Sequence, residues 1–285
     1  MFQYILYRLG LFIALSLPLK YAYGFSKFVS TLQFLCSEKD RNCVRNNLRA
    51  VFPDESDDKI DFYAKQVFIN FGKYLVDFFR YSKIDRKFLK EKLKIEGLDY
   101  LDDCLKQNKG VIIISAHLGN WELGGAVVGM LDYNIVGVVL PHKDWRVNAF
   151  FNTQRESKHL EVCPLGRAAH CCLDSLKQNK IIALVADRDF TNHGIAIDFL
   201  NKRSILPKGP AAFHLKTLAP IVPCFCVRCE DDTFKLIVEP PLKCELTGDK
   251  EKDIEVITKS YAAVVEKYIK AYPGQWYMFR KYWID

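Results

Sequence analysis

The chain has 285 residues, 49% hydrophobic and 26% charged, with a net charge of +7. That is enough apolar material for one large α/β domain or two small ones, and too much charge for a polytopic membrane protein. The positive balance suits an anionic partner such as a phospholipid surface, a phosphorylated lipid or an acidic carrier protein, and equally a solvated lysine-rich face, so charge alone selects no partner.

Residues 1–17 form an apolar run that Arg8 interrupts and that Pro18 and Lys20 close. Its longest uninterrupted part, 9–17, is shorter than the roughly 20 residues a spanning helix needs. The expectation is an interfacial helix lying apolar face down; a tilted span with a snorkelling Arg8 and a signal peptide are the competing readings. Over 58–80, Ile60, Tyr63, Val67, Phe71, Tyr74 and Phe78 recur at helical spacing, which predicts an amphipathic helix. From residue 93 the pattern alternates: strands at 111–115, 135–140, 181–185, 221–228 and 233–239, and helices at 121–130, 148–158, 168–178, 210–217 and 253–272. Fully apolar strands alternating with helices predict a mixed, largely buried central sheet flanked by helices. The organisation expected is an N-terminal membrane anchor helix over 1–30 and a single α/β domain over 31–285.

Residues 115–122 read Ser-Ala-His-Leu-Gly-Asn-Trp-Glu. A strand delivers His117 to its C-terminal end, where open α/β sheets place ligand sites. The turn 118–120 lets the helix start fold back and bring Glu122 toward the imidazole. Imidazole is a base of suitable strength for a hydroxyl, and a carboxylate on its second ring nitrogen fixes the tautomer. Taken alone, His117 is better explained as a buried structural histidine; the whole run is not.

This run resembles the lipid A biosynthesis acyltransferases (lauroyl and myristoyl transferases), within the glycerolipid acyltransferase superfamily with its His-x4-Asp/Glu motif; the phosphatidylinositol mannoside acyltransferases are similar. The likeness extends through Arg45, Asn46, Asn47 and Leu48 to Phe52 and Pro53, and on to Pro273, Trp276 and Arg280. It implies transfer of a fatty acyl chain from acyl carrier protein or acyl-CoA to a hydroxyl of a lipid A precursor, or of another glycolipid or lysophospholipid. It places the enzyme on the cytoplasmic face of an inner membrane, with no cofactor, no metal and no nucleic-acid partner. By the same resemblance His117 is the general base and Glu122 its partner, and Arg155 binds a phosphate of acceptor or donor. Asp187 and Asp189, in the run 186–194, bind the acceptor headgroup or support the histidine, Arg188 pairs with one of them, and Asn120 joins the substrate-binding set. Asn201 stands where the family more often has glycine. Backbone amides near Gly119, or a nearby cation, are expected to stabilise the oxyanion.

Ten cysteines are scattered through apolar stretches, which suggests small hydrophobes in a reducing compartment. Cys224, Cys226 and Cys229 fit no standard zinc spacing, and strand alternation puts the first two on one face. The aromatics and cations of 276–283 suit either a headgroup belt or a segment packed on the domain. No Gly-x-Ser-x-Gly, P-loop or Gly-x-Gly-x-x-Gly occurs, which withdraws support from serine hydrolase, NTPase and dinucleotide readings.

Overall fold

The computed structural model describes residues 2–284. Four helices come first, α1 (Phe2–Ser16), α2 (Leu19–Cys36), α3 (Glu38–Val51) and α4 (Asp57–Phe79). Then follow α5 (Arg86–Lys92), β1 (Leu93–Glu96), α6 (Asp99–Leu105), β2 (Val111–Ser115), α7 (Trp121–Met130), β3 (Ile135–Val139), α8 (Trp145–Glu156), β4 (Leu160–Pro164), α9 (Ala168–Lys177) and β5 (Ile181–Val185). A hairpin of β6 (Ile195–Phe199) and β7 (Lys202–Leu206) precedes α10 (Gly209–Thr217), β8 (Ile221–Arg228), β9 (Phe234–Val238) and α11 (Lys250–Ala271).

The main sheet runs β1-β9-β8-β2-β5-β3-β4. Every pairing in it is parallel except β8 with β9. The expected mixed, largely buried sheet is therefore present. β2 lies at its centre because it is apolar on both sides. Ile112 and Ile114 enter one core with α9 and α11, while Val111 and Ile113 enter the opposite core with α7 and the end of α4. This is the period-two alternation of a strand covered on both faces. The register Ser115↔Val185 brings the C-terminal ends of β2 and β5 level, and that alignment positions the site.

The N-terminal helices are part of the folded body. Gly72 of α4 lets α2 approach closely, since a Cβ there would meet the Ser30 Oγ at 2.2 Å. Beside this contact Tyr23 of α2 donates to Asp77 of α4, which also pairs with Arg228 of β8. A boundary at residue 30 falls inside α2. Among the described residues no helix is long and apolar enough to cross a membrane, so the expected anchor gains no support as a span. What α1 and α2 do present is an outward apolar surface: Phe12 is 68% exposed, and Ile5, Leu9, Phe25, Phe28, Leu32 and Leu35 are exposed with it.

The aromatic segment 276–283 is mostly buried. Trp276, Tyr277, Met278 and Trp283 belong to the core, so this segment is not a headgroup belt. Its rings are occupied with the fold and, as follows, with the site.

Candidate active site

His117 leaves the end of β2 and Asp187 leaves the end of β5. The Nδ1 of His117 lies 2.7 Å from Oδ1 of Asp187, and Oδ2 of Asp187 accepts the His117 backbone N–H at 3.1 Å and the Trp276 Nε1–H at 3.1 Å. Asp187 is wholly buried. Burial works to raise its pKa, but the His117 charge and the hydrogen bonds from His117 and Trp276 outweigh it and hold the carboxyl below its ordinary value. A carboxylate at Nδ1 places the ring proton there, so the neutral imidazole keeps its lone pair on Nε2. Asp187 is thus the carboxylate in contact with the imidazole.

The turn between His117 and α7 is fixed from two sides. Gly119 has φ +65°, and a Cβ on it would meet the Cys226 carbonyl oxygen at 2.1 Å, so only glycine fits. Its N–H donates to Gln275 O at 2.9 Å, that of Asn120 to Cys226 O at 2.7 Å, and that of Tyr277 to His117 O at 2.8 Å. The amide of Gly119 is thus committed to the fold, which leaves other amides of this turn or a nearby cation as the expected oxyanion donors.

Asn120 caps α7, its Oδ1 accepting from Leu123 N at 3.0 Å, and its Nδ2 donates to Asp77 at 2.9 Å. Both ends of this buried amide are engaged in shaping the turn. Asp189 likewise closes its own loop: Oδ1 accepts from the Thr191 N–H and hydroxyl, at 3.1 and 2.7 Å, and Oδ2 from Gly194 N at 3.2 Å. Burial tends to raise its pKa, but these donors prevail and lower it. It orders the 189–194 loop.

Glu122 does not face His117. It meets Arg155 of α8 in a two-pronged ion pair, Nη2 to Oε1 at 2.6 Å and Nε to Oε2 at 2.9 Å. Both side chains are buried, and the guanidinium sits 5.7 Å from the Phe151 ring centre and 5.9 Å from that of Phe78. Burial opposes the Arg155 charge, yet the Glu122 carboxylate overcomes this and the net pKa shift is upward. Two expectations are corrected here. Glu122 is not the partner of the imidazole, and the fork of Arg155 is occupied by a carboxylate rather than open to a phosphate. Five residues of strand end, turn and helix start send the two side chains to different partners. Apart from the Asp-Arg-Asp run itself, no local pattern distinguishes Asp187 as the partner; only the pairing of β2 with β5 does.

Between the sheet and α7 lies an apolar pocket. Gly124 and Gly125 of α7 and Gly137 of β3 open it, and Ile113, Val128, Leu160, Cys224 and Cys226 line it. The paired strand positions of Cys224 and Cys226 thus present two thiols to one cavity, as their alternation predicts. Glu122, Arg155 and Trp121 also border it. The ring of Trp121 stacks on Tyr74 at 4.5 Å and meets the His117 ring edge-on at 5.3 Å, so the apolar cavity and the His117–Asp187 dyad share one aromatic wall.

An imidazole oriented by a buried carboxylate thus stands near an apolar pocket. The family model for "Bacterial lipid A biosynthesis acyltransferase" matches residues 1–284. The chain belongs to this family. It is an acyltransferase. Its curated relatives include the phosphatidylinositol mannoside acyltransferase of Mycobacterium tuberculosis, 28% identical over 221 residues that make up 75% of this chain and 68% of the relative. The enzyme of the same description from Mycolicibacterium smegmatis is 27% identical over 85% of this chain and 79% of its own. The lipid A biosynthesis palmitoleoyltransferase of Escherichia coli is 23% identical over 55% of this chain and 51% of its own.

Proposed function

We propose that this acyltransferase moves a fatty acyl chain from acyl carrier protein or acyl-CoA to a hydroxyl of a glycolipid at a membrane surface, with a lipid A precursor as the first acceptor to test. The observation that carries the chemistry is the 2.7 Å contact between His117 and Asp187 at the ends of two paired parallel strands. In the step, the acceptor hydroxyl gives its proton to Nε2 of His117 as its oxygen attacks the thioester carbon. The tetrahedral intermediate then collapses by breaking the C–S bond. The departing thiolate takes the proton back, leaving ester, thiol and a neutral imidazole. Asp187 stabilises the imidazolium while it exists. The apolar cavity beside Trp121 takes the acyl chain.

A phosphatidylinositol mannoside is the second acceptor reading. The curated relatives that act on such lipids by name align over 75–85% of the chain, against 55% for the Escherichia coli lipid A enzyme. For the membrane, the support is the outward apolar surface of α1 and α2, which also carries Arg8, Lys20 and Lys27. Apolar side chains flanked by cations suit the interface of an anionic bilayer. Since both thioester donors are made in the cytoplasm, the cytoplasmic face of an inner membrane is the proposed location.

The test is transfer of labelled acyl groups from both donors to a lipid A precursor and to a phosphatidylinositol mannoside, with products identified by mass spectrometry. Wild type is compared with His117→Ala and Asp187→Asn. Labelling of one lipid that both variants lose while remaining folded supports the reading. Free fatty acid as the sole product, unchanged by added lipid, makes the protein a thioesterase instead, and full activity in both variants rules the dyad out.

A further inference from the structure

Arg188 and Arg280 both lie against the ring of Phe190, with guanidinium carbons 4.2 and 5.2 Å from its centre. The same ring is 6.3 Å from the His117 imidazole. Neither arginine has an ion pair with a carboxylate among the described residues. Arg188 directs Nη1 to the Met278 sulfur at 4.0 Å, and its Nε is buried without a hydrogen-bond partner. The carboxylates nearest in sequence are committed elsewhere, Asp187 to His117 and Trp276, Asp189 to Thr191 and Gly194. The expected pairing of Arg188 with one of them is not formed.

Two like charges at one ring repel, and a half-buried guanidinium loses hydration. Burial and the nearby Arg280 accordingly push the Arg188 pKa down to about 10, so it remains charged at neutral pH. A pair of cations that makes no direct ion pair, with the Nε of Arg188 buried and unpartnered, calls for an external anion. Guanidinium groups match phosphate oxygens by shape and charge, and Phe190 holds both planes in place through cation–π contact.

We propose that Arg188 and Arg280 form a phosphate-binding pair beside His117, seating a phosphate group of the substrate next to the reacting centre. This deepens the acyl-transfer reading and rests on it for what the phosphate belongs to. One source is the headgroup of an anionic lipid acceptor; the other is the phosphate of a coenzyme A or carrier-linked donor. Arg280 is exposed and Arg188 half-buried, so a phosphate approaching from solvent meets Arg280 first and Arg188 at the depth of the dyad.

Calorimetric binding to the full chain tests this without turnover, so inactive protein does not obscure the result. The probes are inorganic pyrophosphate, coenzyme A, glycerophosphoinositol and glucosamine phosphate, with free inositol as the uncharged control. The variants are Arg280→Gln, which removes an exposed group, and Arg188→Gln, with thermal unfolding as the check on folding. The expected result is that wild type binds pyrophosphate and one class of probe, and that Arg280→Gln weakens both by about tenfold or more, with no binding of inositol. Loss confined to coenzyme A assigns the donor phosphate; loss confined to glycerophosphoinositol or glucosamine phosphate assigns the acceptor. If wild type binds none of the anions, or Arg280→Gln binds them as tightly as wild type, the pair is not a phosphate site. Failure of acyl transfer in the separate assay, with anion binding intact, would remove the acyltransfer reading alone.

Discussion

Asp187 grips His117 twice, taking the imidazole Nδ1 on one oxygen and the backbone N–H on the other. The ring and its main chain are thereby oriented by a single carboxylate, 70 residues away in sequence. Replacing it by asparagine keeps the shape but turns an amide N–H₂ or a neutral carbonyl toward Nδ1, which disturbs the tautomer. The expected loss in kcat for Asp187→Asn is roughly 10³–10⁴-fold with little change in KM, by analogy with the serine-protease carboxylate. Steady-state kinetics on folded protein checks it, and a change below tenfold would remove Asp187 from the mechanism.

The Glu122–Arg155 pair makes a different prediction. Removing one member of a buried ion pair strands the other charge, at about 3–5 kcal/mol. Glu122→Gln and Arg155→Met should each lower the unfolding temperature by several degrees. The double variant Glu122→Leu/Arg155→Met should recover much of that loss, because two apolar side chains need no partner. If the double variant regains stability and still fails to transfer acyl groups, Glu122 and Arg155 contribute to the reaction beyond holding α7 against α8. A double variant no more stable than the singles would show that the pair's worth is not electrostatic.

Chain length should answer to Leu160. This side chain borders the apolar cavity on one side and, on the other, a more polar recess bounded by Gly129, Asp132, Glu156 and Glu161. Leu160→Ala removes the wall between them at a stability cost of about 2 kcal/mol or more, and should shift the product toward longer acyl chains. Gly137→Val places methyl groups against Leu160, where a Cβ would already lie 3.3 Å from its Cδ1, and should shift it toward shorter ones. Mass spectrometry of products from an equimolar mixture of donors reads both, and an unchanged distribution in both variants would place the acyl chain elsewhere.

Acid should destabilise the protein through its site. The folded-state pKa values of Asp187 and Asp189 are lowered, below the value of about 3.9 expected for an unfolded aspartate. Groups shifted in this direction bind fewer protons folded than unfolded, so their stabilising contribution is complete above about pH 4 and is lost as the pH falls through the folded values. Unfolding temperature measured from pH 6 to pH 2 should fall on the acid side, and Asp187→Asn should make that fall shallower. An identical slope in the variant would show that Asp187 does not take up a proton in this range.

The outward face of α1 and α2 should bind bilayers. Phe12→Asp and Phe28→Asp each replace an exposed apolar group that would bury its area in lipid, worth about 1.5–3 kcal/mol apiece at full burial. Sedimentation with vesicles containing anionic phospholipid should show weaker binding for each and weaker still for both, with folding unchanged. Equal sedimentation of wild type and double variant would move the membrane contact to another surface.

The sheet was legible from the sequence because its central strands are unbroken apolar runs. β2, β5 and β8 begin and end where the pattern places them. β4 escaped because Glu161 and Pro164 interrupt it at the sheet edge, and the β6–β7 hairpin because Asn201 and the charged residues around its turn, Asp198, Lys202 and Arg203, resemble a loop. In the site, His117 was legible through the residues around it. Its partner was not, because spacing along the chain says which groups are near in sequence, whereas the dyad is set by which strands pair. Glu122 is five positions from His117 and faces Arg155; Asp187 lies across the sheet and faces the imidazole.

Residues 275–282 hold the dyad from outside the sheet: Gln275 accepts from Gly119, Trp276 donates to Asp187, Tyr277 to the His117 carbonyl, and the Tyr282 hydroxyl to the Asp187 carbonyl. A chain is made from its N-terminus onward, so every other part of the centre emerges from the ribosome before these clamps do. A half-made or prematurely terminated polypeptide then carries His117 and Asp187 without the contacts that align them. Such fragments should leave the cell's acyl thioesters untouched, and activity should begin only with the synthesis of the last clamp.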